Sequence, residues 1–274
     1  MAVAVEQKAL DMVLDLLGIP VHRFQGRSVT TGATASNIMG LACARDALLL
    51  NSPHLPENYT IAENGFPPSI PSPTNPGESF IPPIKVLTVK AHGSILKAAA
   101  VTGIGRMNVH EAADASSPNL QDPWSLKFDL GKLARELETA KRIGQGVIVV
   151  VTLGEVNTGG FTPDIPVIAD LCKAHGAWLH IDAAFGGFAA LLPHYKYLSR
   201  EMEMADSLTL DAHKWLNGPR LACRFAKSSR LRDREFKEVP GVAAVRRIAR
   251  TGQKRVYWCV ISGTFAHKRA ERHS

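Results

Sequence analysis

The sequence predicts an α/β fold, a mostly parallel sheet flanked by helices. Three observations carry this. Between residues 85 and 211, short apolar runs of strand length alternate with longer runs of helical periodicity, and that alternation means parallel strands joined by crossover helices. The 274 residues are 45% hydrophobic, enough to bury a sizeable core in one large or two smaller domains. No apolar run reaches the roughly 18 residues that a membrane-spanning helix needs.

The elements follow in order. Ala9, Met12, Val13, Leu16 and Leu17 recur at helical spacing over residues 6–17 and stop at Gly18 and Pro20, so an amphipathic helix opens the chain. Residues 28–31 suit a short strand, Gly32 and Ala33 make a tight turn, and residues 35–50 form a second helical run. Residues 51–84 hold nine prolines and little periodicity. Proline lacks the N–H that a helix interior or a central strand uses, so this segment reads as a long surface loop. Beyond it, residues 85–89 are strand-like and 94–101 helical, with Gly103 as the helix stop. Residues 128–143 then read as a helix, 147–152 as a buried strand, 164–175 as a helix and 178–181 as a strand. A last strand ends at Leu210. Ligands of such sheets bind beyond the carboxyl ends of the strands, so the loops after Thr31, Val89, Thr152, Ile181 and Leu210 are expected to converge.

Charge divides the chain. Residues 1–214 carry 17 Lys and Arg against 21 Asp and Glu, a net −4, whereas residues 215–274 carry 15 against 4, a net +11. The expected organisation is an N-terminal helix and linker over 1–26, a large domain over 27–217 containing the proline-rich loop, and a basic tail over 218–274. The tail's basic residues share no helical face, its apolar residues are sparse until residues 256–261, and it holds no nucleic-acid motif. Nucleic acid is therefore not an expected partner, although a basic-tailed binding module remains an alternative. Cys43, Cys172, Cys223 and Cys259 lack the paired spacing of a zinc site or a disulfide framework. The start of the chain contains acids and is amphipathic, unlike a secretory signal. Reduced thiols, a cytoplasmic location, no membrane partner and no metal are the expectations.

The segment HIDAAFGG places Asp182 at the end of an apolar strand, and Lys214 follows 32 residues later within DAHKW. This pairing suits pyridoxal 5′-phosphate, because a lysine amine condenses with the aldehyde while an aspartate keeps the pyridine nitrogen protonated. Plainer readings exist for each residue. Lys214 could be a surface lysine, and Asp182 a helix cap. His92, between strand and helix, could bond a backbone group. The turn at Gly32, Ala33 and Thr34 precedes a helix, where amides and the helix dipole favour an anion; Thr34 or Ser36 could instead be a simple N-cap. Ser207 could be a solvated strand-edge serine.

TTGATASN, AHGSILKAA, VTLGEVNTGG, HIDAAFGG and ADSLTLDAHKWLN occur in the order of the group II pyridoxal-phosphate-dependent decarboxylases, which include the aromatic-amino-acid and glutamate decarboxylases. The chain resembles that family over residues 25–217. The resemblance implies the large domain of the aspartate-aminotransferase type (fold type I), acting as a homodimer on a small-molecule substrate, an L-amino acid, and removing its α-carboxylate as carbon dioxide. It implies Lys214 as the Schiff-base lysine, Asp182 as the pyridinium partner and His92 as the residue stacked on the ring. Ala33 and Thr34 become phosphate contacts, with His213, Ser207 and Thr152 also near the cofactor. Where many relatives carry Gly-Thr-Thr, this chain has Gly154-Glu155-Val156. Only about 25 residues precede the phosphate turn, and the family's small domain is not recognised after Asn217, so an incomplete enzyme is expected. Arg220 and Arg224 are not assigned as carboxylate binders on charge alone. Another carbon–carbon lyase of fold type I and a catalytically silent cofactor-binding protein are the alternatives.

Overall fold

The computed structural model describes residues 2–57, 59–67, 81–114, 122–216 and 222–227. In chain order the elements are α1 (Ala2–Leu16), β1 (Gly26–Thr30), α2 (Ala33–Leu50), α3 (Ile61–Asn64), β2 (Lys85–Thr88), α4 (Gly93–Val101) and β3 (Val109–Glu111). Then come α5 (Leu130–Arg142), β4 (Val147–Thr152), α6 (Ile165–His175), β5 (Trp178–Asp182), α7 (Leu198–Met204), β6 (Ser207–Asp211), α8 (Ala212–Trp215) and β7 (Ala222–Ala226). The strands form one sheet in the order β1-β7-β6-β5-β4-β2-β3. From β3 to β6 all neighbours are parallel, while β7 runs antiparallel to both β6 and β1. The sheet is thus mostly parallel and flanked by helices, as the sequence predicts.

Alternation along the strands builds two cores. In β4, Ile148 and Val150 face α2 and α4 together with Val86 and Trp178. Val147, Val149 and Val151 face the other side, where α1, α5, α6 and α7 contribute Leu14, Leu133, Ile168 and Met202. Every residue of β4, β5, β6 and β7 is buried, because a sheet covered on both faces needs no polar side. Local signals fix the helices. Asp129 caps α5 by accepting a bond from the Lys132 amide, and Leu133, Leu137 and Ala140 make its buried stripe. Gly176 ends α6 in the left-handed conformation.

Three features depart from the sequence reading. The loop over 51–84 contains the single-turn α3, capped by Thr60; a four-residue turn is too short to leave a periodic signal. The three-residue edge strand β3 is missed for the same reason. The third departure is topological. Strand β7 lies between β1 and β6, so the sheet extends past residue 217 into the segment that the charge break sets apart. The strand ACRFA is short and apolar except for one arginine, and a charge count over sixty residues cannot resolve it. The remainder of the tail, with residues 256–261, lies outside the described residues. Cys43, Cys172 and Cys223 are buried and form no disulfide among the described residues, whereas Cys259 lies outside them. Among the described residues, no helix is long and apolar enough to cross a membrane.

Candidate active site

The sheet register brings the chemistry together. Thr152 at the end of β4 pairs with Asp182 at the end of β5, and Asp182 pairs with Thr209 in β6. Two residues after Thr209 the chain leaves β6 and enters α8, which carries Lys214. A cleft open to solvent lies over these strand ends. Its walls include Ala33, His92, Thr152, Asp182, Phe185 and Lys214, together with Gly154, Glu155 and Val156. Two loops meet at its floor. A Cβ on Gly154 would lie 2.7 Å from the Gly186 amide nitrogen, and one on Gly186 would lie 2.7 Å from the Leu153 carbonyl oxygen. Glycine at both positions lets backbone pack on backbone.

Lys214 Nζ sits 3.8 Å from Asp211 Oδ2 and 5.6 Å from the centroid of the Phe185 ring. Trp215 donates from Nε1 to the Phe185 carbonyl, tying α8 to the loop after β5. Asp182 is only 5% exposed. Its Oδ1 accepts from the Ala184 amide at 3.2 Å and its Oδ2 from Asn37 Nδ2 at 2.8 Å. Asp182 is not a helix cap: its bond from the Ala184 amide closes the turn after β5, the next helical segment starts only at Gly187, and the carboxylate lines the cleft. His92 both bonds the backbone and lines the cleft. Its Nδ1 caps α4 by accepting from the Ser94 amide at 3.2 Å, and the residue lines the cleft.

At the turn before α2, Gly32 is the N-cap and makes no side-chain cap bond. Ser36 does not cap; its Oγ bonds Thr30 Oγ1 at 2.8 Å. The first amides of an 18-residue helix therefore carry no side-chain acceptor, the arrangement that an anion uses. Ala33 lines the cleft, with Thr34 next to it in the first turn.

Other expected residues stand apart. His213 Nδ1 lies 2.5 Å from Asp211 Oδ1 and is not in the cleft wall. Ser207 requires a correction. It starts β6, roughly 13 Å from the strand's far end at the usual rise per residue, and is fully buried. Its Oγ is engaged by Trp178 Nε1 at 2.8 Å and His180 Nδ1 at 2.7 Å, so it is neither a phosphate contact nor a solvated serine. Arg224 points at α2, donating from Nη1 to Cys43 Sγ at 2.7 Å; Arg220 lies outside the described residues.

Glu155 replaces the family's threonine but is not free for a substrate. Oε1 accepts from Asn157 Nδ2, and Oε2 accepts from the Thr158 amide and hydroxyl, with Lys90 Nζ at 3.8 Å. Burial pushes its carboxyl up. The bonds from Asn157 and Thr158, with Lys90, outweigh that and hold it below the ordinary range. The residue that sequence reasoning passed over is Asn37, which sits inside TTGATASN and touches Asp182 directly. Its place in the second turn of α2, just after the turn at Gly32, was the available signal.

The donor set fits pyridoxal phosphate: uncapped amides for the phosphate, a carboxylate for the ring nitrogen and an amine for the aldehyde. Comparison with known proteins agrees. The pyridoxal-dependent decarboxylase conserved domain matches residues 83–225. L-2,4-diaminobutyrate decarboxylase of Acinetobacter baumannii is 31% identical over 186 residues, 68% of this chain and 33% of that protein. Human cysteine sulfinic acid decarboxylase is 35% identical over 141 residues, 51% of this chain and 27% of that protein. The solved glutamate decarboxylase domain of a Vibrio parahaemolyticus protein superposes with a TM-score of 0.65 at 26% identity, covering 84% of this chain and 45% of that one. The chain spans about a third of the length of the curated relatives it matches. The match runs from the strand before His92 to the strand after Lys214 and covers more than half of the sequence, so this chain belongs to the pyridoxal-dependent decarboxylase family.

Proposed function

We propose that the cleft holds pyridoxal 5′-phosphate for the decarboxylation of an L-amino acid. The observation that carries this reading is the convergence of Lys214, Asp182 and His92 on one cleft beside the uncapped start of α2. When bound, the cofactor supplies an electron sink for the pair released as the carboxylate leaves. The chain's residues supply the rest. Lys214 is the amine that reaches the aldehyde, steered by Asp211 and by the face of the Phe185 ring. Asp182 holds a proton at the ring nitrogen, and His92 covers a ring face. Ala33, Thr34 and the first amides of α2 take the phosphate, with Thr152 at the opposite wall and His213 a further candidate contact behind Lys214.

Exposed Val156 in the cleft wall and exposed Trp215 beside Lys214 support a homodimer in which a second chain helps to close the cleft. Three buried cysteines that form no disulfide among the described residues support a cytoplasmic location. The test is carbon dioxide release from glutamate, diaminobutyrate, cysteine sulfinate and aromatic amino acids with added cofactor. Asp182→Asn should lower turnover far more than it lowers cofactor affinity, since it removes the charge at the ring nitrogen and leaves the phosphate contacts in place. Equal loss in both quantities, or no loss in turnover, refutes the assigned role.

A further inference from the structure

Behind the cleft a chain of hydrogen bonds joins residues from four elements. Trp178 Nε1 meets Ser207 Oγ at 2.8 Å, and Ser207 Oγ meets His180 Nδ1 at 2.7 Å. His180 Nε2 meets Asn37 Oδ1 at 3.1 Å. The Asn37 Nδ2 then contacts Asp182 Oδ2 at 2.8 Å and Ser94 Oγ at 2.9 Å, and Ser94 Oγ contacts His92 Nδ1 at 2.8 Å. Asn37, Ser94, His180 and Ser207 are all at most 2% exposed, so none can exchange its partner for water.

Chemistry fixes the direction of every bond. A carboxylate only accepts, so the Asn37 amide must turn its NH2 toward Asp182 and its oxygen toward His180. His180 must then carry its proton on Nε2 and accept on Nδ1 from the Ser207 hydroxyl. The indole N–H of Trp178 supplies the bond that Ser207 accepts. At the other end, Ser94 accepts from Asn37 and donates to His92 Nδ1, which also accepts the Ser94 amide. That leaves the His92 proton on Nε2. All donors and acceptors are matched in one direction only.

We infer that Asn37 is a positioning residue that orients Asp182 and, by donating to Ser94, turns the Ser94 hydroxyl onto His92, and that neutral His180 holds the Asn37 amide in the required sense. This inference rests on the reading of the cleft as a pyridoxal-phosphate site. Burial supports it by pushing His180 down to about 4, with Arg224 adding to that and Asp182 opposing it. Arg224 in β7 and Asp182 in β5 are the charged groups acting on His180; the contacts from α2 and β6 are the neutral Asn37, Gly40 and Ser207. Gly40, one turn beyond Asn37, admits the ring: a Cβ there would lie 2.7 Å from His180 Cε1.

The test begins with ring-nitrogen NMR of the 15N-histidine-labelled chain without cofactor at neutral pH. The expected result is Nε2-protonated, neutral rings at both His92 and His180. A charged His180, or an Nδ1-protonated form of either ring, overturns the inference without any variant. Asn37→Leu, similar in size and unable to bond, should move the ring signals of both histidines although they lie on different elements. With cofactor added, it should change the absorbance of the bound form and weaken binding by about ten- to hundredfold, the usual cost of a lost bond to a charged group. A variant that melts like wild type with both histidines and the spectrum unchanged also overturns the inference. Failure of wild type to bind the cofactor would refute the function proposed above, while the cofactor-free NMR still decides the hydrogen-bond chain.

Discussion

Replacing Gly40 with alanine sets two effects of known size against each other. At an interior position of α2, alanine gains about 1 kcal/mol of helix propensity over glycine. The new methyl would lie 2.7 Å from His180 Cε1 and 3.0 Å from Nδ1, below any normal van der Waals contact. The ring cannot simply swing away, because Ser207 holds Nδ1 and Asn37 holds Nε2. Either the helix backs off, at roughly 1–3 kcal/mol for overpacking, or a buried bond breaks and leaves a polar atom unpaired, at a further ~1–3 kcal/mol. The clash wins. Gly40→Ala should therefore cost about 1 kcal/mol net, read by urea unfolding followed by far-ultraviolet circular dichroism. Gly131→Ala in α5 is the control. Its Cβ would meet only Arg135 Nη1 at 3.3 Å, the end of a side chain that can shift, and the capping Asp129 Oδ1 at 3.4 Å, an ordinary contact that leaves the cap in place, so stability should rise by about 0.5 kcal/mol. If Gly40→Ala also stabilises, α2 does not lie against His180 as described, and the bond chain through Asn37 fails with it.

Two further outcomes test other parts of the fold. Burial and the nearby Asp164 push Glu201 up to about 7, so the folded form favours the protonated acid. That contribution is complete below the ordinary value of 4.5 and is lost as pH rises through 7; wild type should lose melting temperature between pH 5 and pH 8 relative to Glu201→Gln, and parallel profiles would contradict the assignment. Leu14 is fully buried where α1 meets the sheet, whereas Met12 on the same helix is 61% exposed. Leu14→Ala should cost about 2–5 kcal/mol and Met12→Ala within about 0.5 kcal/mol, while equal effects would mean that α1 is not docked.

Much of this was legible in the sequence, because the signals were periodic. The buried run over residues 147–152 was long and β-branched, and helices such as α5 and α6 carried both a stripe and a stop. Position after a strand was enough to place His92, Thr152, Asp182 and Lys214 at one end of the sheet. What escaped was short or depended on partners distant in sequence. Strand β7 is five residues inside a basic segment, and its burial comes from β1 and β6 on either side. Ser207 shares a strand with the lysine loop, but strand direction puts it at the wrong end. Asn37 sat within a quoted motif, yet its bonds to residues 182 and 180 span about half the chain, and no local pattern announces them.

The central claim is that Lys214 is the amine that captures pyridoxal 5′-phosphate. Purified chain is mixed with the cofactor, reduced with borohydride and digested, and the modified peptide is identified by mass spectrometry. The account predicts one modified lysine, Lys214, and loss of the modification in Lys214→Ala. Label spread over surface lysines, or equal trapping elsewhere in Lys214→Ala, would contradict it.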